Sequence, residues 1–363
     1  MPSYLHGLTV IRGLAALWVA MCHAYTGLAH FPIEQNGLLP KFISKGWLGV
    51  DLFFILSGFI ISFTYGQKLK EFKFDTFKSF IKKRIARLFP AHIFILSIYL
   101  VVVMVGAGLG KMDTTNYTAG KFISQMFLLN GVGFGTPVGW NAPSWSVSSE
   151  LLAYFSFPFL LYALTRLKNH PSIALAIFGI NITLAAIVNN YEQYMLAFSW
   201  VSLRVISEFC LGMLLFNFFI NNKKRVEFFI IGLVFTIGHS LLVNNAFFDW
   251  MYLIYFMMII YGAASFKTAK AIPYLGLLGE ISYSLYLAHS LVLIGINLLF
   301  KTFPNYVPGP ALTSVIYLGV SIYFAKWIYL NIEVPGQKLL VNSNTWWSLL
   351  EWKKTRVAAL AQK

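Results

Sequence analysis

Ten apolar stretches of membrane-crossing length recur along the chain, each closed by polar or basic residues. They run Leu8–Leu28, Trp47–Tyr65, Pro90–Ala107, Trp145–Leu164, Ile173–Val188, Met195–Phe219, Phe228–Val243, Trp250–Phe266, Leu277–Leu299 and Leu312–Tyr329. A hydrocarbon core of about 30 Å takes roughly 20 helical residues at about 1.5 Å each. The pattern therefore predicts an all-α polytopic membrane protein of about ten transmembrane helices. Basic residues follow every second span: Lys68 to Arg87, Arg166 with Lys168, the N-N-K-K-R run at 221–225, Lys267 with Lys270, then Lys338, Lys353, Lys354 and Arg356. Cytoplasmic loops collect such residues, so both termini are expected in the cytoplasm. Phe122–Leu129 is too short to span, so it either re-enters or lies in the interface. The W-W-S-L-L-E-W patch at 346–352 reads as an interfacial anchor.

Composition agrees. Of 363 residues 58% are hydrophobic and only 11% charged, too few charges to cover a soluble domain of this size. The net charge of +15 sits in the loops, where it sets topology rather than binding nucleic acid. Cys22 and Cys210, the only cysteines, lie in apolar runs, so neither a disulfide framework nor a thiolate metal site is expected. Leu8–Leu28 lacks the flanks of a cleaved signal and reads as a true span. The organisation expected is a membrane domain over 1–335 and a cytoplasmic, partly interfacial tail over 336–363. No internal repeat of the kind found in many transporters is visible.

Topology sorts the intramembrane polar residues by depth. Arg12 and His23 lie eleven residues apart in the first span, roughly 16 Å along a helix axis. Charges at such depth are costly and face protein or water. His23, Asp51, Ser146, Glu150 and His289 all fall towards the outer face. Two imidazoles, two carboxylates and serines at one level are the ingredients of a general acid/base site, and a carboxylate beside an imidazole fixes its tautomer. Asp51 is expected to play that part for His23. On the cytoplasmic side Arg12, Lys83, Arg84 and Arg87 form a basic set suited to phosphate, and Arg12 shares a depth with Glu333, a candidate partner. Arg204 and Glu208, one turn apart, read as a self-paired structural couple.

Four stretches then become specific: R-G-L-A followed by His23; G-V-D-L-F-F-I-L-S-G-F from Gly49 to Phe59; W-S-V-S-S-E with Tyr154 and Pro158; and I-S-Y-S-L-Y-L-A-H ending at His289. Weaker echoes are R-I-A-R-L-F-P, R-V-I-S-E-F-C-L-G and E-V-P at Glu333 to Pro335. From about Leu8 to Pro335 the chain resembles the acyltransferase 3 family, integral membrane enzymes that O-acylate, mostly O-acetylate, cell-surface glycans. Two positions depart from the family pattern: Thr9 stands where an Asp is frequent, and Ala288 where a Trp is usual. Some relatives add a C-terminal hydrolase-like domain; this chain reads as a stand-alone member.

The resemblance implies a multi-pass protein of the inner (plasma) membrane, with cytoplasmic acyl-CoA, acetyl-CoA by default, as donor substrate and no permanently bound cofactor or metal. The acceptor implied is a hydroxyl of an extracytoplasmic or lipid-linked glycan. Catalytic candidates are His23, Asp51, Glu150 and His289. Donor-binding candidates are Arg12, Lys83, Arg84 and Arg87. Acceptor-binding candidates are Trp145, Ser146, Ser148 and Tyr283. His23 acts either as general base or as transient acyl carrier. The rival readings are a transporter of a lipid-linked sugar or small anion and a structural scaffold of glycan assembly. Acceptor identity, acyl length and oligomeric state, a homo-oligomer included, stay open.

Overall fold

A computed structural model describes residues 5–28, 37–132, 139–167, 170–187, 198–266 and 273–341. The aromatic patch at 346–352, Lys353, Lys354, Arg356, Lys168, Lys267, Lys270 and most of the glycine-rich stretch after Val132 lie outside them. Every regular element among the described residues is helical. The first seven helices are α1 (His6–Gly27), α2 (Leu38–Ser44), α3 (Gly49–Tyr65), α4 (Phe74–Gly108), α5 (Ala119–Met126), α6 (Ser144–Arg166) and α7 (His170–Ile187). The second seven are α8 (Phe198–Asn221), α9 (Glu227–Leu242), α10 (Tyr252–Ala264), α11 (Pro273–Glu280), α12 (Ser282–Thr302), α13 (Pro310–Ile328) and α14 (Val334–Val341).

Eight helical stretches are long and apolar enough to cross a bilayer, and they match eight of the ten expected spans. The other two, spans five and seven, are the shorter apolar helices His170–Thr183 and Glu227–Leu242. Phe122–Leu129 contributes to α5, an eight-residue helix whose first turn is capped by Thr118 accepting from the Lys121 amide. Its brevity rules out a crossing.

Three boundaries differ from the pattern, each for a local reason. The third span does not begin at Pro90: α4 runs 35 residues from Phe74, roughly 50 Å. Lys and Arg are good helix formers, so the basic run continues the rod beyond the apolar part. The ninth span breaks at Ile281, between α11 and α12. The carbonyl of Gly279 at that break accepts from Arg12 Nε (3.2 Å) and Nη2 (2.8 Å) and from Ser282 Oγ (2.8 Å). The tenth helix passes through a π turn, Tyr329–Glu333, into α14, so helix crosses the boundary expected at 335. Turns of this kind re-aim side chains; this one buries Glu333 against α4 and α12.

The bundle is tightest where α3 meets α8. A Cβ at Gly58 would stand 2.0 Å from the Phe209 carbonyl oxygen, and one at Gly212 would stand 1.9 Å from that of Ile55. Small residues that admit backbone contact are how membrane helices gain packing energy, because lipid already solvates their apolar side chains.

Candidate active site

A cavity of about 840 Å³, its mouth included, is walled by α1, α3, α4, α6 and α12. Alternation of side chains around each helix explains its lining. Val50, Phe53, Ser57 and Ile61 share one face of α3, Ser146, Glu150 and Tyr154 one face of α6, and Arg84, Arg87 and Leu88 one face of α4. One end is basic. The Arg84 guanidinium lies over the rings of Tyr65 (5.4 Å) and Tyr154 (5.9 Å), and its buried Nε has no hydrogen-bond partner. Arg84 forms no ion pair among the described residues. Arg87 sits over Tyr283 (5.4 Å) and is ion-paired with Glu333, whose carboxylate also accepts from Ser284 Oγ at 2.6 Å. Arg12 reaches the same cavity. The Arg12–Glu333 pairing expected from depth is thus replaced in the contacts seen: Arg87 takes the carboxylate, and Arg12 takes the Gly279 carbonyl.

Midway along, Glu150 accepts from Ser57 Oγ (2.9 Å) and from the Tyr154 hydroxyl, itself 3.2 Å from Ser57 Oγ. The far end is closed by Tyr286, Phe53 and Ser146. Ser146 Oγ donates to the Tyr286 hydroxyl at 2.7 Å, which lies 3.1 Å from the Pro143 carbonyl.

Beyond Tyr286 lie the histidines. His23 and His289, from opposite ends of the described chain, bring their rings to 4.9 Å, and the Tyr286 ring stands 5.8 Å from that of His289. His289 is fully buried and neither ring nitrogen has a well-formed hydrogen bond. His23 Nδ1 lies 3.0 Å from the Val19 carbonyl. A carbonyl only accepts, so Nδ1 carries the proton and the neutral ring keeps its lone pair on Nε2. Among the lining residues of the cavity neither histidine appears.

Asp51 is not the group that orients His23. It lies on the α3 face turned to α8, fully buried, where Arg204 Nε donates to its Oδ1 at 2.9 Å and to Glu208 Oε1 at 2.9 Å. The expected Arg204–Glu208 couple is there, enlarged to a triad, with the guanidinium 5.9 Å from the Trp145 ring. A one-residue step around α3 from Val50 decides this, since successive positions point about 100° apart. Trp145 therefore packs on the triad, outside the cavity lining. Ser148 donates to the Leu128 carbonyl and accepts from the Gly131 amide at 3.0 Å; its hydroxyl pins the external segment to α6. Lys83 is exposed and outside the lining. Ser146 and Tyr283 do line the cavity, the latter donating to the Leu88 carbonyl at 2.7 Å.

Ser57 and Tyr286 line the cavity and were legible yet unassigned. They stand inside two of the four motifs, Tyr286 one turn from His289, and only polarity inside an apolar run marks them. A third group carried no motif: Lys45 pairs with buried Asp249 at 2.6 Å, and His239 Nε2 lies 3.6 Å from the same carboxylate.

A family described as an acyltransferase domain matches residues 5–330. The chain is 30% identical over 166 residues to "Acyltransferase MdmB" of Streptomyces mycarofaciens, covering 45% of this chain and 40% of that protein. It is 23% identical over 384 aligned positions to a Staphylococcus aureus protein named "Putative O-acetyltransferase", covering 94% of this chain and 59% of the other. It is 38% identical over 88 residues to "Protein 2 in picA locus" of Rhizobium radiobacter, 24% of this chain and 40% of that one. The chain thus spans 40% to 59% of the length of these curated relatives. No solved structure matches it.

Proposed function

The chain belongs to the acyltransferase 3 family, and on that premise we propose that it moves an acyl group, acetyl by default, from cytoplasmic acyl-CoA to a glycan hydroxyl on the outer side of the plasma membrane. The single observation that carries this reading is a cavity with a phosphate-binding chemistry at one end and an imidazole pair just past the other. Arg84, which forms no ion pair among the described residues, takes a donor phosphate with help from Arg87 and Arg12, since guanidinium binds phosphate bidentately. Basic residues around that end favour a cytoplasmic side for it, in keeping with the topology expected from the loops. The acylated arm of the donor extends along the cavity towards Glu150 and Tyr286.

His23 Nε2 accepts the proton of the acceptor hydroxyl as that oxygen attacks the thioester carbonyl. The C–S bond breaks, and the proton passes to the departing thiolate, so ester and thiol are formed without net gain or loss of a proton. His289 confines the ring of His23, while Glu150, held by Ser57 and Tyr154, positions donor or acceptor. In the second form of the same chemistry His23 carries the acyl group transiently. The word O-acetyltransferase in the name of the Staphylococcus relative supports the reaction class, and the glycan acceptor rests on the family.

The test uses the purified full chain in detergent with acetyl-CoA. Binding or slow release of free CoA is expected, and His23→Ala is expected to abolish transfer to surface glycan while melting as wild type does. Retained glycan acylation in that variant removes His23 from the mechanism. A wild-type protein that neither binds nor cleaves acetyl-CoA overturns the reading in favour of a transporter.

A further inference from the structure

An acceptor on the outer side reaches the bundle at the end away from Arg84, and that end carries a cavity of its own. It holds about 580 Å³, its mouth included, between the segment after α4 and the last turns of α12. Gly108 ends α4 24 positions beyond Arg84, roughly 36 Å and so more than the hydrocarbon thickness away. On α12 the lining runs from Ile294, past Asn297, to Lys301, residues that share one face of the helix because they recur every three or four positions. Asn297 Nδ2 donates to the Gly27 carbonyl at 2.8 Å. Gly27 lies one turn beyond His23, which is itself partly exposed. The cavity therefore stands beside the outer ends of the two helices that carry the imidazoles.

Its charge is positive. Lys111 and Lys301, 190 positions apart in the chain, both line it, both are exposed, and neither forms an ion pair among the described residues. Asp113 shares the lining, but its Oδ1 accepts from the Thr115 amide (2.9 Å) and hydroxyl (2.7 Å). Two ammonium groups against one carboxylate leave room for an anion. Lys and Arg otherwise gather on the cytoplasmic side of a membrane protein, so two lysines converging at the other end run against the trend.

We propose that this cavity is where the acceptor docks, and that the acceptor is an acidic glycan whose carboxylate or phosphate sits between Lys111 and Lys301. This rests on the acyltransferase reading above and gives it an acceptor class. Tyr117, on the same wall, packs against a sugar ring with its apolar body. Lys301 lies twelve positions beyond His289, roughly 18 Å along the axis. The anchored sugar is therefore not the one acylated: anchor and reacting hydroxyl belong to different residues of one glycan chain.

The experiment supplies the full chain in detergent with radiolabelled acetyl-CoA and the surface glycan of the cells that carry it, separated by anion exchange into acidic and neutral fractions. Label is expected in the acidic fraction. Lys111→Ala and Lys301→Ala should each raise the KM for that fraction by about two- to fivefold, the worth of an exposed ion pair, with little change in kcat. Lys301→Glu should raise it further, and Lys301→Arg should restore it. Salt should shrink the difference between wild type and Lys301→Ala, because exposed charges are screened. Lys121→Ala, at an exposed lysine outside the lining, should leave the KM unchanged. Label as abundant in neutral glycan, or a KM indifferent to both lysines, overturns the acidic acceptor and leaves the acyltransferase reading standing. Stronger competition by phosphatidylglycerol in mixed micelles than by acidic glycan fragments assigns the cavity to a lipid headgroup and also overturns it. So does release of CoA with no label in either fraction. A wild-type protein that neither binds nor cleaves acetyl-CoA overturns both.

Discussion

Two arginines inside this membrane protein face opposite fates. Arg204 is fully buried between α3, α6 and α8, wrapped by Asp51, Glu208 and the Trp145 ring. Arg84 stands over two phenol rings at a cavity wall and forms no ion pair among the described residues. In the first arrangement the charges face one another, outside the cavity lining. The second leaves a guanidinium unneutralised where a chain of lining residues leads inward. In low dielectric an unpaired charge is costly, so its retention beside a cavity points to an anion that completes it.

The contrast is broken or sharpened most strongly at Arg204. Arg204→Ala strands two buried carboxylates, a change that costs about 3–5 kcal/mol when one partner of a buried pair is removed. A large drop in melting temperature in detergent is expected. An unchanged melting temperature would show the triad to be dispensable. Arg84→Ala should leave melting in place and weaken donor binding by about 1.5–3 kcal/mol, roughly ten- to a hundredfold, the worth of a hydrogen bond to a charged group. Calorimetric titration with CoA reads it directly; equal affinity in the variant would move the phosphate site elsewhere. Lys83→Ala, on the exposed side of the same helix, should change that affinity by less than about twofold, because exposed charges are screened. A larger loss would extend the phosphate site to the outer face of α4.

Much of the fold was legible because each helix in lipid satisfies its own backbone and advertises itself as an apolar run. Eight such runs appear as long apolar helices, and the eight-residue α5 was marked by its shortness alone. Where helices continue or break, at Phe74 and Ile281, hydropathy carried no signal, since a helix outside the bilayer and a kink inside it leave the same residue types in place. For the site, depth brought Glu150, Ser146, His23 and His289 to one level and Arg12, Arg84 and Arg87 to another. Depth is a coordinate along the helix axis and says nothing about the angle around it. Asp51 shows the cost: one position from a cavity-lining valine, it faces α8 instead.

The linear order of residues by itself determined the class, eight of the spans and the family, because all three depend on local composition and on spacing along a single helix. Which side chains meet was decided only by the packing of separate helices: His23 against His289, Arg87 against Glu333, Asp51 against Arg204. Those contacts depend on the rotation of each helix and on the close α3–α8 approach through Gly58 and Gly212. Rotation is set by the sum of many small packing terms across the bundle, and no stretch of sequence read alone contains that sum.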